Sequence, residues 1–261
     1  MTATDTPGGR FDIGRVIQQT FGVIGRNASS FFLLAAILVA APALVVGLVQ
    51  LAVAPTEVGG MPNFSAPGVI VGVVSFVVSV VGSGLLQVAL VQATMKDLNG
   101  EKPAPMSSLG LAMSLVAPAI GLSLVATIGM TIGMILLVVP GVILAVMWVV
   151  GLPALVVEKK GVFDSLQRSR ELTKGSRWPI FALSLVYVVV FGVVFIVIGG
   201  LTGGLAAAGG FTASSIVALI ISSAATLVTS VLAATGAAVI YSELRTAKEG
   251  VAPDQLASVF D

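Results

Sequence analysis

The sequence contains no cysteine and no histidine among its 261 residues. Without cysteine the chain has no disulfide, no thiolate metal site and no cysteine nucleophile. Without histidine it lacks the commonest general base and the commonest protein ligand for metals. We therefore expect no catalytic residue, no cofactor and no metal ion.

Charge is also scarce. Charged residues make up 10% of the chain, against about 25% in an ordinary soluble domain, whereas hydrophobic residues make up 57% and the mean hydropathy is +1.10. A soluble fold of this length cannot bury that much apolar surface, so the chain needs lipid as its solvent. The net charge of +1 gives no reason to expect a nucleic-acid partner.

The apolar runs predict an all-α integral membrane protein with six transmembrane helices. A helix needs about 20 apolar residues to cross the hydrocarbon core. The uncharged stretch 111–157 is long enough for two crossings, and Pro140-Gly141 is its natural break. The whole chain, 1–261, is one membrane domain, and its spans are predicted at about 31–54, 69–93, 113–139, 142–157, 179–200 and 214–240.

The basic residues predict the orientation. With six spans, all thirteen Lys and Arg fall on one side of the membrane, and Glu57 is the only charge on the other. The positive-inside rule then places both termini in the cytoplasm of a bacterial inner-membrane protein. Residues 1–30 and 241–261 are the predicted cytoplasmic segments, and Pro253-Asp254 could begin a last short helix.

Residues 11–27 read as an amphipathic helix that lies in the membrane interface. Phe11, Val16 and Phe21 offer apolar contacts, Arg15 can meet anionic headgroups, and Asp12 is the expected N-cap. The alternative is a lead-in to the first span that packs on neighbouring helices.

The stretch 158–178 carries six basic and three acidic residues. We expect a short cytoplasmic helix from Ser165 to Lys174, with Asp164 as cap, Gln167 in the capping-box position and Gly175 as the left-handed residue that ends it. Its cations form a candidate lip for anionic membrane lipids or a protein partner, the alternative being a topology anchor. This basic lip consists of Lys159, Lys160, Arg168, Arg170, Lys174 and Arg177.

Small and hydroxylic residues recur on one face of several spans. In the second span the candidate polar stripe is Ser75, Ser79, Ser83 and Gln87. The first interpretation is close helix packing with hydroxyls bonding across the contact. The alternative is that the stripes face one another around a polar path or a lipid cleft.

Two aromatic residues and one glycine-rich run lie at predicted ends of the spans. Trp178 and Tyr241 fall at predicted cytoplasmic membrane borders, where amphipathic rings are favoured. The glycine-rich run 199–210 is predicted to be a flexible connector outside the membrane.

The run EKKGVFDSLQRSRELTKGSRW resembles the signature of the glycerophosphoryl diester phosphodiesterase membrane-domain family. LLVVPGVIL at 136–144, FDIGRVIQQTFGVIGRN at 11–27 and YSELRTAKEG at 241–250 are similar to further segments of that family. The positions that match the signature are Glu158, Gly161, Leu166, Arg168, Ser169, Leu172, Gly175 and Trp178.

This resemblance implies a six-helix bacterial inner-membrane bundle, but it does not imply phosphodiesterase activity. In fused relatives that chemistry belongs to a separate barrel domain with acidic residues, histidines and a metal. This chain has no histidine and no room for such a domain.

Three functions remain open. The first is a non-catalytic membrane scaffold, lipid-interacting module or partner subunit, with a protein partner or a second copy as candidate partners. The second is a transporter or channel for an uncharged or lipidic substrate, which the polar stripes and the possible inverted three-plus-three halves suggest. The lack of charge in the predicted spans disfavours coupled transport. The third is an intramembrane enzyme that would rely on Glu158, Asp164 and Glu171.

Overall fold

A computed structural model of the chain describes residues 11–52, 57–58, 61–62, 65–208 and 211–250. These residues form nine α-helices, one π-helical turn and one pair of antiparallel two-residue strands. In chain order the elements are α1 (Ile13–Ala35), α2 (Ala41–Ala52), β1 (Glu57–Val58), β2 (Met61–Pro62), α3 (Ala66–Leu98), α4 (Pro105–Leu136), α5 (Val138–Trp148), α6 (Gly151–Glu158), α7 (Val162–Thr173), α8 (Arg177–Ala208) and α9 (Phe211–Glu249).

Six helical stretches are long and apolar enough to cross a membrane, which confirms the predicted all-α bundle. They are Ile13–Val49, Ala66–Leu98, Ser107–Leu136, Val138–Glu158, Arg177–Leu201 and Val217–Glu249. The chain is therefore a multi-pass membrane protein. Several of these helices are longer than the predicted spans, because they stay helical through polar residues at their ends.

The N-terminal amphipathic segment continues into the first span through a kink. Asp12 caps α1 as predicted, accepting a hydrogen bond from the backbone N–H of Arg15 at 3.1 Å. Asn27 leaves helical geometry (φ −118°, ψ 18°) and separates this segment from the span. Val16 and Val23 are fully buried against the bundle, whereas Phe21 is exposed on the other face.

The first span contains a π-helical turn, Ala36–Ala40, between α1 and α2. Pro42 lacks the N–H that would bond to the carbonyl of Leu38 in a regular α-helix. Gly82 of α3 lies against this carbonyl so closely that an added Cβ would overlap it. The proline therefore removes an internal partner at the point where the neighbouring helix comes nearest.

The break between the third and fourth spans lies at Leu137, not at Pro140-Gly141. Leu137 is extended (φ −164°, ψ 141°) and separates α4 from α5. Pro140 instead occupies the first turn of α5, where a missing N–H costs no intrahelical bond. Gly141 allows close packing, since a Cβ added to it would lie 2.8 Å from the backbone N of Met134. The fourth span consequently begins earlier than predicted and bends again between α5 and α6.

The predicted cytoplasmic helix between the fourth and fifth spans is α7, but its cap differs. Gly161 is the N-cap and offers no side-chain hydrogen bond, while Asp164 lies in the first turn, so the predicted capping role of Asp164 is wrong. The carboxylate of Asp164 still interacts favourably with the positive N-terminal end of the helix dipole. Gly175 has the predicted left-handed conformation (φ +90°) after the helix.

The glycine-rich run was also predicted wrongly, because α8 remains helical through Ala208. Glycine is more frequent in membrane-crossing helices than in soluble ones, so a run of glycines in such a chain does not by itself indicate a loop. The predicted segment 1–10, Gly209-Gly210 and the tail from 251, including Pro253-Asp254, lie outside the described residues.

The core is concentrated at one end of the bundle. We call it the charged end, because ion pairs there join Arg15 to Glu243, Arg26 to Asp97 and Arg168 to Glu158. The adjoining stretches, 86–95 in α3, 150–157 around α6 and 231–244 in α9, are mostly buried. In the other half, apolar side chains are exposed; examples are Ile70, Val73, Phe76, Val188, Phe195 and Ile196. The helices thus pack on one another mainly near the charged end.

Candidate functional site

Helix α7 lies across the charged end and is fixed there by its apolar face. Leu166 and Leu172 are buried in the core. The hydroxyl of Ser169 is also buried and donates a hydrogen bond to the backbone carbonyl of Met147 at 2.7 Å. Three positions of the family signature therefore hold this helix against the bundle, and Ser169 joins it to α5.

A carboxylate at the end of α6 organises the surrounding charges. Oε1 of Glu158 accepts hydrogen bonds from Nε of Arg168 at 2.8 Å and from the hydroxyl of Tyr241 at 2.9 Å. Its Oε2 lies 2.7 Å from Nζ of Lys160. The Glu158 side chain is only 12% exposed, so these contacts replace most of its hydration.

The network continues to the end of α9. Arg168 also pairs with Glu249, which lies 2.9 Å from Nε of Arg245, and Lys248 donates to the backbone carbonyl of Glu171. Burial by itself lowers the pKa of Arg168, but hydrogen bonds to two carboxylates outweigh it, and its pKa is raised. Arg168 therefore stays charged and ties α6, α7 and α9 together.

The basic lip divides into two groups. Lys160 and Arg168 are engaged by carboxylates of the network. Within the part of the chain that the structure describes, the remaining four cations form no ion pair shorter than 4.0 Å; they are Lys159, Arg170, Lys174 and Arg177. This second group is the part of the lip whose charge remains available to another molecule.

The remaining signature positions shape the turns at the two ends of α7. Gly161 caps the helix, and a Cβ there would lie 3.3 Å from Oδ2 of Asp164. Gly175 supplies the left-handed turn that leads into α8. Trp178 is 81% exposed and its ring meets Phe181 edge to face, with centroids 6.2 Å apart. Its exposure agrees with the predicted border position.

Tyr241 differs from the prediction, because it is fully buried. Its ring packs in the core and its hydroxyl bonds to Glu158, so it is not an exposed aromatic anchor at a membrane border. The network also contains Arg245 and Glu249, which the sequence gives no reason to expect there. They follow Glu158 by more than 80 residues, and no local spacing signals a pairing across that distance.

The polar stripe of the second span is only partly brought together. Ser83 and Gln87 line a cavity of about 390 Å³ between α3, α8 and α9, which the α5–α6 junction closes on one side. Thr229 and Ser230 of α9 line it from the opposite side, with Phe191 and Phe195 of α8 also contributing to its wall. Ser75 and Ser79 do not line this cavity.

Several hydroxyl groups along these stripes donate to backbone carbonyls of their own helix. Ser75 donates to the carbonyl of Val71 at 2.6 Å, and Thr229 donates to that of Ala225 at 2.9 Å. Such bonds satisfy a hydroxyl without recruiting another helix. Helix α3 and the first span approach closely at Gly82, where an added Cβ would overlap the carbonyl of Leu38, whereas Gly72 on the same helix meets open space.

The chemistry of the charged end is electrostatic. Of the three acids considered for catalysis, Glu158 is held by cations, and the carboxylate of Glu171 accepts a hydrogen bond from Gln167 at 3.3 Å. Among the described residues no cluster of three or more acidic groups is placed to hold a metal ion. The available groups are the unpaired cations of the lip and the polar wall of the cavity.

Comparison with known proteins gives one match. Residues 120–246 match the family described as "Membrane domain of glycerophosphoryl diester phosphodiesterase". Neither the curated proteins nor the solved structures contain a significant match. The matched residues include the last part of α4, all of α5 to α8 and most of α9, whereas the similar-looking N-terminal segment 11–27 falls outside them. Over residues 120–246, and thus over the entire signature around α7, the chain resembles this membrane-domain family.

Proposed function

We propose that the chain is a non-catalytic module of the bacterial inner membrane whose basic lip binds anionic phospholipid headgroups. The observation that carries this proposal is that Arg170, Lys174 and Arg177 line one cavity of about 770 Å³ beside α7. Clustered cations at a membrane surface attract anionic headgroups by about 1 kcal/mol per Lys or Arg. Glu171 is the single acidic residue on that cavity wall.

The proposed orientation places the charged end and both termini in the cytoplasm. The positive-inside rule supports it, because the bundle gathers its basic segments at that end. A cysteine introduced at Lys159 should resist a membrane-impermeant maleimide in intact cells, and one at Glu57 should react. The chain has no native cysteine to interfere. Labelling of the Lys159→Cys variant in intact cells would overturn the orientation.

The proposed binding of anionic headgroups can be tested by measuring which phospholipids the extracted protein retains. Protein extracted from vesicles of phosphatidylglycerol and phosphatidylcholine in equal parts should retain mainly phosphatidylglycerol, as counted by native mass spectrometry. The Arg170→Ala/Lys174→Ala variant should lose about 2 kcal/mol of this preference, or roughly 30-fold. The Lys96→Ala/Lys102→Ala variant removes the same charge elsewhere and should keep the preference. Equal loss in the two variants would contradict a role for the lip.

The cavity beside Ser83 and Gln87 favours a second candidate, facilitated passage of an uncharged or lipidic substrate. Its volume of about 390 Å³ falls within the usual range of ligand pockets. A Ser83→Leu substitution would fill the cavity, whereas Ser79→Leu places the same group outside it. Slower scrambling of a fluorescent lipid in proteoliposomes by the Ser83 variant alone would support passage. Equal rates in both variants would count against it.

A further inference from the structure

Two cavities adjoin at the border of the charged end. The first is the lip cavity described above. The second has a volume of about 550 Å³ and lies between α5 and the first turns of α8. Arg177 lines both of them. The two spaces therefore meet at a basic side chain that stands at the beginning of a membrane-crossing helix.

The two cavities differ in chemistry. The second is an apolar groove formed by valines and an isoleucine of α5, including Val142 and Ile143, and by Phe181 of α8. Trp178 lies beside Arg177 in its wall. An amphipathic ring next to a cation is typical of the level at which lipid headgroups meet acyl chains. The groove thus extends from the headgroup level along the exposed side of the bundle.

Arg177 carries a second, independent sign of a missing partner. Its Nε is buried and makes no hydrogen bond within the described residues. A buried N–H without an acceptor is costly, and the phosphate oxygens of a lipid are acceptors that an arginine binds well. The same guanidinium is free of ion pairs to described carboxylates.

We infer that these cavities form one site for a single anionic phospholipid, whose phosphate is bound by Arg170, Lys174 and Arg177 and one of whose two acyl chains lies in the groove beside Ile143. This inference rests on the proposed function and assigns its ligand a place. A soluble phosphate would use only the first cavity, whereas a phospholipid uses both. Lipid tails are as apolar as leucine, so an acyl chain gains only packing contacts by entering the groove, and the cations supply most of the affinity.

The groove can be tested without changing any charge. Ile143 is 46% exposed, so the Ile143→Trp variant adds bulk to the groove rather than to the core. Ile196→Trp is the matched control, because Ile196 is exposed on α8 away from the groove. Native mass spectrometry of protein extracted from the mixed vesicles should show about fivefold less retained phosphatidylglycerol for Ile143→Trp and no loss for Ile196→Trp. Val139→Phe, at another exposed groove position, is a second variant if the first does not fold.

The outcomes separate the inference from the function on which it rests. Equal retention in the groove variants and the control, with a wild-type preference for phosphatidylglycerol, would overturn the acyl-chain site and leave the headgroup-binding lip intact. Absence of that preference in the wild type would overturn both. Inorganic phosphate that displaces the lipid as well as added phosphatidylglycerol does would also overturn the inference, because the site would then recognise the anion alone.

Discussion

Replacing Glu158 by glutamine should destabilise the bundle by about 2 to 3 kcal/mol. The carboxylate accepts from Arg168 and Tyr241 through one oxygen and meets Lys160 through the other. A hydrogen bond to a charged group contributes about 1.5 to 3 kcal/mol, whereas the pair with Lys160, which is 43% exposed, adds at most about 1 kcal/mol. The loss stays below the 3 to 5 kcal/mol typical of a broken buried pair, because Glu249 still compensates Arg168.

The assay is reversible unfolding in mixed micelles, followed by the circular dichroism of the helices. Glu171→Gln is the matched control, since Glu171 lies on the same helix as Arg168 but its side chain is exposed. We expect it to change the free energy of unfolding by no more than about 0.5 kcal/mol. Equal unfolding free energies for the two variants would refute the view that Glu158 holds the charged end together.

Three further substitutions test the packing. Gly82→Ala should cost about 1 to 3 kcal/mol by overpacking, measured by the same unfolding assay, while Gly72→Ala on the same helix meets open space and should cost nothing. A loss in both would indicate a general effect of alanine in α3. Tyr241→Phe should lower the free energy of unfolding by about 1 kcal/mol, because the hydrogen bond to Glu158 is lost. In the Glu158→Gln background the effect of Tyr241→Phe should be smaller, whereas additive effects would show that the hydroxyl acts elsewhere. Ser169→Ala should cost about 1 kcal/mol and speed proteolysis after α7, since the bond to Met147 is lost; unchanged cleavage would argue against docking by this bond.

Hydropathy and charge were sufficient to predict the six spans and the short helix α7, because membrane thickness limits how an apolar chain can be arranged. They were insufficient for the helix ends. Pro140 predicts a helix break at its own position, but the chain breaks at Leu137. The prediction fails because proline is also favoured in the first turn of a helix, where Pro140 lies. The glycines near Gly203 suggest a loop by the preferences of soluble proteins, but α8 continues through them as a helix.

The candidate site was predictable only in part. The cations around α7 are apparent in the sequence, but their division into paired and unpaired groups is not. Arg168 and Arg170 are two residues apart and look equivalent, yet Arg168 faces Glu158 and Glu249 while Arg170 lines the cavity. That difference is created by the distant end of α9, so tertiary packing decides which charges remain free.

The uneven packing of the helices means that the two leaflets of the bilayer meet different surfaces. Near the charged end, the lipids of one leaflet surround helices whose side chains are already held by contacts within the protein. In the other half, residues such as Phe76 and Phe195 have mainly acyl chains as neighbours. A thinner or more fluid membrane should therefore be accommodated by movement of this half, while the ion-paired end keeps its arrangement.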